Sequence, residues 1–261
     1  MSPVAVVTGA ARGMGAATVD LLVDGGWQVV AVDLSADDPA LDYALATKAD
    51  LEEVAGRHGA NVRTMVGDVR SAADMRAAVD EALTHFGGLQ AAVAAAGVIS
   101  GGPPAWEIPD AQWGVQFDIN VNGVRRLAAA AVPALLHVPK PRQGRVVAVS
   151  SAAGVLGLPR LSAYSASKHA VIGYVRSLAA DLAGSGITAN VVCPGSTRGP
   201  MLDASAAVYD LPSTDEFAGH HLLQRLLEPA EPAALIAWLC GPASSGLTGA
   251  VLPVDGGMTA S

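Results

Sequence analysis

Tyr164 and Lys168 stand four residues apart in Ser162-Ala-Tyr164-Ser-Ala-Ser-Lys168. On a helix this spacing puts a phenol and an ammonium on one face. A positive charge beside a phenol favours phenolate, which lowers the cost of exchanging a proton with an alcohol hydroxyl. Taken alone, such a pair is more often a solvated helix face. Ser151 precedes Tyr164 at the end of the apolar run 145–149, where its hydroxyl can bind the oxygen of a small molecule.

A second chemical element lies at the start of the chain. Thr8-Gly9-Ala10-Ala11-Arg12-Gly13-Met14-Gly15 follows the first apolar run and opens directly into a helical pattern. Glycines allow tight turning and close backbone approach, and a helix start offers free N–H groups and a positive dipole end, both suited to a pyrophosphate. The spacing Gly-x-x-x-Gly-x-Gly departs from the Gly-x-Gly-x-x-Gly fingerprint, so the reading rests on the strand, loop and helix context. A plain turn is the alternative. Asp33 ends the second run, about 20 residues beyond the loop, where a carboxylate can bond adenosine ribose hydroxyls and repel a 2′-phosphate. That favours NAD over NADP, although Arg12 could serve a phosphate.

These groups need a scaffold that brings them to one edge. With 261 residues, 51% of them hydrophobic, the chain is expected to form one α/β domain over 1–261. Short apolar runs at 4–7, 29–32, 62–66, 89–95, 145–149, 188–192 and 250–254 suit buried parallel strands. Helical patterns at 16–23, 75–86 and 233–240 fall between them. The alternation predicts a Rossmann-like doubly wound parallel sheet with helices on both faces. Residues 202–222 break any sustained period and are expected to form an irregular lid.

Composition narrows the partners. A formal charge of −8 without a basic stripe argues against nucleic acid. Without a long apolar segment or a leader-like start, the expectation is a cytoplasmic protein and no membrane partner. Cys193 and Cys240 belong to no metal-ligand or CxxC pattern, so they read as buried thiols, with no metal site.

Together the glycine loop and the Ser151, Tyr164 and Lys168 set resemble the short-chain dehydrogenase/reductase family, over essentially the whole chain. The resemblance implies a substrate-orienting Ser151, a general acid/base Tyr164 and a Lys168 that binds the cofactor ribose. Asn120 completes the catalytic tetrad within Asn120-Val-Asn-Gly123, with Asn122 its competitor; its implied role is to support a water chain leading protons from the lysine. Implied cofactor contacts are Gly9, Arg12, Gly13, Met14, Gly15, Asp33, Asp68, Val69, Gly97, Pro194, Gly195 and Thr197. Asp68-Val69 would face adenine, Pro194-Gly195 would form the nicotinamide-side turn, and Asp255-Gly256-Gly257 matches the C-terminal signature. Such proteins are commonly homotetramers.

Two departures stand out. The family's Asn-Asn-Ala-Gly turn is Ala94-Ala95-Ala96-Gly97 here, and Gly199 occupies the usual place of a threonine, with Thr197 two positions earlier. The stretch between Asp33 and Asp68 is also about ten residues longer than in ordinary members, through Ser35 to Thr47. This resembles the mycofactocin-coupled subfamily, which implies a bound NAD reoxidised in place by mycofactocin as electron acceptor. The alternative is a longer surface loop over 39–51. The expected reaction is hydride transfer between a small apolar alcohol or ketone and NAD, with Ile99, Leu156, Leu158, Leu202, Tyr209 and Phe217 as candidate pocket residues. An ordinary NAD-exchanging alcohol dehydrogenase or ketoreductase is the nearest alternative, and a non-catalytic dinucleotide sensor a more distant one.

Overall fold

The seven apolar runs become seven strands of one sheet in the computed structural model, which describes residues 2–260. They are β1 (Val4–Thr8), β2 (Gln28–Asp33), β3 (Val62–Val66), β4 (Ala91–Ala94), β5 (Arg145–Val149), β6 (Thr188–Pro194) and β7 (Val251–Val254). Their order is β3-β2-β1-β4-β5-β6-β7. Every neighbouring pair is parallel. Parallel strands need crossovers, and helices supply them: α1 (Gly13–Asp24), α2 (Lys48–His58), α3 (Ala72–His85), α4 (Asp110–Gln116), α5 (Gly123–His137), α6 (Ser162–Asp181), α7 (Pro200–Val208) and α8 (Ala230–Cys240).

Helices cover both faces of the sheet, which is why the strands read as unbroken apolar runs rather than alternating ones. Val4 and Val6 of β1 pack with Met75, Leu127 and Val171 of α3, α5 and α6. Ala5 and Val7 pack on the opposite side with Leu22, Leu51 and Ile236 of α1, α2 and α8. Local chemistry sets the helix starts. Thr47 accepts the Asp50 N–H while the Asp50 carboxylate accepts the Thr47 N–H, a capping box at α2. Ser71 accepts the Asp74 N–H at 3.1 Å and starts α3.

Two expectations are corrected. The run 62–66 is an edge strand, not a buried one: Val66 is 54% exposed and Arg63 bonds Glu81 at 2.9 Å. The stretch 202–222 is largely helical, because α7 buries Leu202, Ser205 and Ala206 before a 3-10 segment at Thr214–His220. Its small residues hide the period, since Ala and Ser contribute little contrast between faces. Cys193 and Cys240 are buried free thiols, as expected.

The strand order reverses at the boundary between β1 and β4. Crossovers leave in opposite directions there and open a crevice at the carboxyl ends of the strands, where open α/β sheets bind ligands. The Gly9 loop, Asp33, Gly97, Ser151 and Gly195 follow the ends of β1, β2, β4, β5 and β6 at this edge.

Candidate active site

A cleft of about 1010 Å³ runs along this edge, and all twelve implied cofactor residues border it, together with Ser151 and Tyr164. At one end the glycine loop turns under the start of α1. Gly9 has φ +67°, and a Cβ there would lie 2.6 Å from the Ala96 backbone. A Cβ on Gly15 would overlap the Gly9 carbonyl oxygen. These two positions accept only glycine, and the cradle they make leaves room for a phosphate against the α1 amino end.

Asp33 is fixed beside that cradle. Its carboxylate accepts the Ala11 N–H at 3.1 Å and the Ser35 N–H at 3.2 Å. Arg12, the residue that could favour NADP, donates instead to the Ala44 carbonyl at 2.9 Å. The ribose end therefore pairs a positioned carboxylate with an occupied guanidinium, and its donor set fits NAD. Asp68 also borders the cleft, held by Arg70 at 2.8 Å. At the Ala94-Ala95 turn, the Thr8 hydroxyl donates to the Val93 carbonyl and receives the Ala96 N–H, both at 3.4 Å. Thr197 turns its hydroxyl onto the Gly195 carbonyl at 3.0 Å, while Gly199 has φ +140° at the start of α7.

The four catalytic candidates converge in the middle of the cleft, in two layers. Ser151 and Tyr164 border it, whereas Lys168 and Asn120 lie behind them, 3% and 0% exposed. The helical spacing of Tyr164 and Lys168 on α6 brings the ammonium 5.7 Å from the phenol ring centre. Lys168 Nζ donates to the Val149 carbonyl at 3.1 Å. The Asn120 side chain accepts the Val98 N–H at 2.8 Å and donates to the Val98 carbonyl at 2.9 Å and Ser167 Oγ at 3.0 Å. Asn120 is aimed inward by a π-helical stretch at Phe117–Asn122, whereas Asn122 bonds Asp118 on its own turn at 3.0 Å. A Cβ on Gly97 would stand 3.2 Å from Lys168 Nζ and 3.3 Å from Asn120 Oδ1, so a bare backbone closes this layer.

Electrostatics here differ from the expectation drawn from spacing. Burial pushes the Tyr164 phenol up to about 12, against the opposing pull of the Ser151 hydroxyl beside it. Burial also lowers Lys168 to about 8. Desolvation is the largest influence on both groups, and it holds the phenol in its protonated form at neutral pH.

Tyr43 and Met201 were not among the sequence candidates, yet both border the cleft. The Tyr43 phenol oxygen accepts the Ile99 N–H at 3.1 Å, and Tyr164 donates to Met201 Sδ at 3.9 Å. Neither position has a spacing signal, because each arrives from a distant stretch of chain. Ile99, Leu156, Leu158, Leu202, Tyr209 and Phe217 all border the same cleft, forming an apolar chamber beside Tyr164.

Two outcomes are expected. The Lys168 ammonium costs free energy in the folded protein because its pKa falls from 10.5 to about 8. That penalty is complete below about pH 8 and disappears as pH rises past the unfolded value. Lys168→Met should therefore raise the Tm of the cofactor-free protein at pH 7 by roughly 3–8 °C, with the gain fading at alkaline pH in calorimetry, while turnover collapses. Asp33→Ala should weaken NAD binding about tenfold while improving NADP relative to NAD, measured by titration with both nucleotides.

Comparison with known proteins adds the family. Residues 9–259 match the family model described as enoyl-(acyl carrier protein) reductase. The chain is 39% identical to cis-4-hydroxycyclohexanecarboxylate dehydrogenase of Sinomonas cyclohexanicum, covering 98% of this chain and 96% of that one. It is 33% identical to (-)-trans-carveol dehydrogenase of Rhodococcus erythropolis, over 98% and 97%. Among solved structures, carveol dehydrogenase from Mycobacterium avium in complex with NAD superimposes with a TM-score of 0.93 at 30% identity, over 99% and 98% of the two chains. With the cleft, the glycine loop and these likenesses together, the chain belongs to the short-chain dehydrogenase/reductase family of oxidoreductases.

Proposed function

We propose that this protein oxidises a small apolar cyclic alcohol with NAD, using Ser151, Tyr164, Lys168 and Asn120. The observation that carries the reading is the convergence of these four side chains between a phosphate cradle and an apolar chamber in one cleft. Bound NAD would supply the hydride acceptor, held by the Gly9 to Gly15 loop, Asp33 and the Pro194 to Thr197 turn.

Ser151 holds the substrate hydroxyl oxygen, and Tyr164 removes its proton as the carbinol carbon gives up hydride. Phenolate formation is the difficult step, given a phenol near 12. The Lys168 cation, which would also hold the cofactor ribose, stabilises it from a position 5.7 Å from the ring centre. The proton then leaves by way of Lys168 and the Asn120 layer. The reverse reduction uses the same groups, because both directions share one transition state.

The chamber supports an uncharged substrate. Of the arginines that border the cleft, Arg198 pairs with Asp215 at 3.2 Å and Glu228 at 3.1 Å, and Arg12 donates to the Ala44 carbonyl. A carboxylate like that in the name of the Sinomonas relative would find no unpaired arginine there among the described residues. Tyr164→Phe should lower turnover of cyclohexanol or carveol by about 10²–10⁴-fold while NAD binding holds. A parent protein that binds NAD but turns over none of these alcohols, and whose NAD binding Tyr164→Phe leaves unchanged, would instead be a dinucleotide sensor.

We further infer that the residues from Ser35 to Thr47 form a strap that retains NAD, with mycofactocin as the agent that reoxidises it. Support comes from the ties across the cleft: Arg12 to Ala44, Tyr43 to Ile99, and the buried Asp38 to Arg70 at 2.6 Å. Homotetramer assembly through the long helices α5 and α6, in the cytoplasm, belongs to the same reading. No helix among the described residues is long and apolar enough to cross a membrane. Denaturing the purified protein should release stoichiometric NAD or NADH, seen by mass spectrometry. The native protein should need an artificial electron acceptor for more than one turnover, and an Arg12→Ala, Tyr43→Ala double variant should exchange NAD freely. Ready turnover by the parent protein with added NAD alone would make it an ordinary exchanging dehydrogenase.

A further inference from the structure

His221 is 1% exposed and takes no part in proton transfer at Tyr164. Its Nε2 accepts the Ser196 N–H at 3.0 Å, and its Nδ1 lies 2.7 Å from the Arg225 carbonyl. A carbonyl only accepts, so Nδ1 must carry the proton. A backbone N–H only donates, so Nε2 must not. The two neighbours thereby define a neutral ring with one tautomer.

The ring also has no room to move. A Cβ on Gly195 would lie 2.8 Å from Nε2, and a Cβ on Gly256 would lie 2.8 Å from Nδ1. Both glycines therefore press bare backbone against the imidazole. The acceptor carbonyl is anchored in turn, because the Arg225 guanidinium forms two 2.7 Å bonds with the Glu231 carboxylate on α8. His221 thus clamps the Gly195-Ser196 turn, at the end of β6, between α8 and the Asp255-Gly256 turn after β7. It also ends the helical segment Thr214–His220, whose Phe217 closes the substrate chamber.

We propose that His221 is a positioning residue that sets the nicotinamide-side turn through Ser196 and joins it to the wall of the substrate chamber. This rests on the placement of nicotinamide at Pro194 to Thr197 proposed above. The bond to Ser196 is the functional one, and the bond to Arg225 orients the ring. A turn displaced by about 1 Å would spoil the approach of the reacting carbons, which is worth up to about 10²-fold in rate.

The two ring nitrogens can be replaced separately. His221→Gln keeps an acceptor at the distance of Nε2 and gives up the Nδ1 donor, whereas His221→Asn keeps a donor near Nδ1 and gives up the acceptor. Each substitution is made in the freely exchanging Arg12→Ala, Tyr43→Ala background, which serves as its parent. Each protein is equilibrated with a mixture of NAD and ADP-ribose, which lacks nicotinamide, and the ratio of bound nucleotides is read by mass spectrometry. The expected result is that His221→Asn shifts this ratio at least tenfold toward ADP-ribose, while His221→Gln shifts it less than threefold. A purely structural role would lower Tm in both variants and leave both ratios at the parent value, which overturns the proposal. Nitrogen-15 spectra of the parent protein provide a test without substitution: the acceptor-type Nε2 resonance of His221 should move with NAD and not with ADP-ribose, and equal responses to both refute the role. A parent protein that binds both nucleotides equally refutes the nicotinamide placement, and one that binds neither refutes the cofactor reading itself.

Discussion

Burying the Lys168 ammonium removes it from water, and the surrounding structure is arranged around that cost. The Val149 carbonyl is its one hydrogen-bond partner among the described residues, Gly97 leaves space above it, and Asn120 holds the neighbouring loop through both polar groups of Val98. Val149 ends β5, whereas Gly97 and Asn120 both lie in the connection from β4 to β5, so the site requires β4, β5, α6 and the π-helical turn to be in register. A solvated lysine at the same spacing would titrate near its ordinary value and have little influence on a phenol. Burial instead lowers it to about 8, within reach of a proton-transfer cycle.

The same low-polarity environment disfavours the charged form of both groups. Tyr164 and Lys168 are each pushed toward their neutral forms, so the protein alone does not hold a phenolate. The arginines of the cleft border follow the same principle, since Arg12 meets the Ala44 carbonyl and Arg198 meets Asp215 and Glu228.

Much of the architecture was legible because buried parallel strands leave a plain sequence trace. All seven runs became strands, and the glycine loop, Asp33 and the Tyr164–Lys168 pair fell at the edge that the alternation implied. The edge strand β3 and helix α7 were read less well. The first has apolar residues that face solvent, and the second is built from Ala, Ser and Met with little contrast between faces. Tyr43 and His221 were unreadable as site residues for another reason: their partners, Ile99 and Ser196, lie 56 and 25 positions away.

What the amino-acid sequence determined by itself is whatever depends on spacing within one element. Three glycines before a helix make a cradle, four residues separate two groups on one helical face, and runs of Val and Ala make strands. Tertiary structure decided what depends on distance through space. It buried Asn120 against Val98 while leaving Asn122 on Asp118, set Arg12 against the Ala44 carbonyl, and made desolvation the largest influence on Tyr164 and Lys168. Local spacing constrains directions along a helix or strand, whereas burial and hydrogen-bond partnership are sums over neighbours from many elements, and only the packed sheet brings those neighbours together.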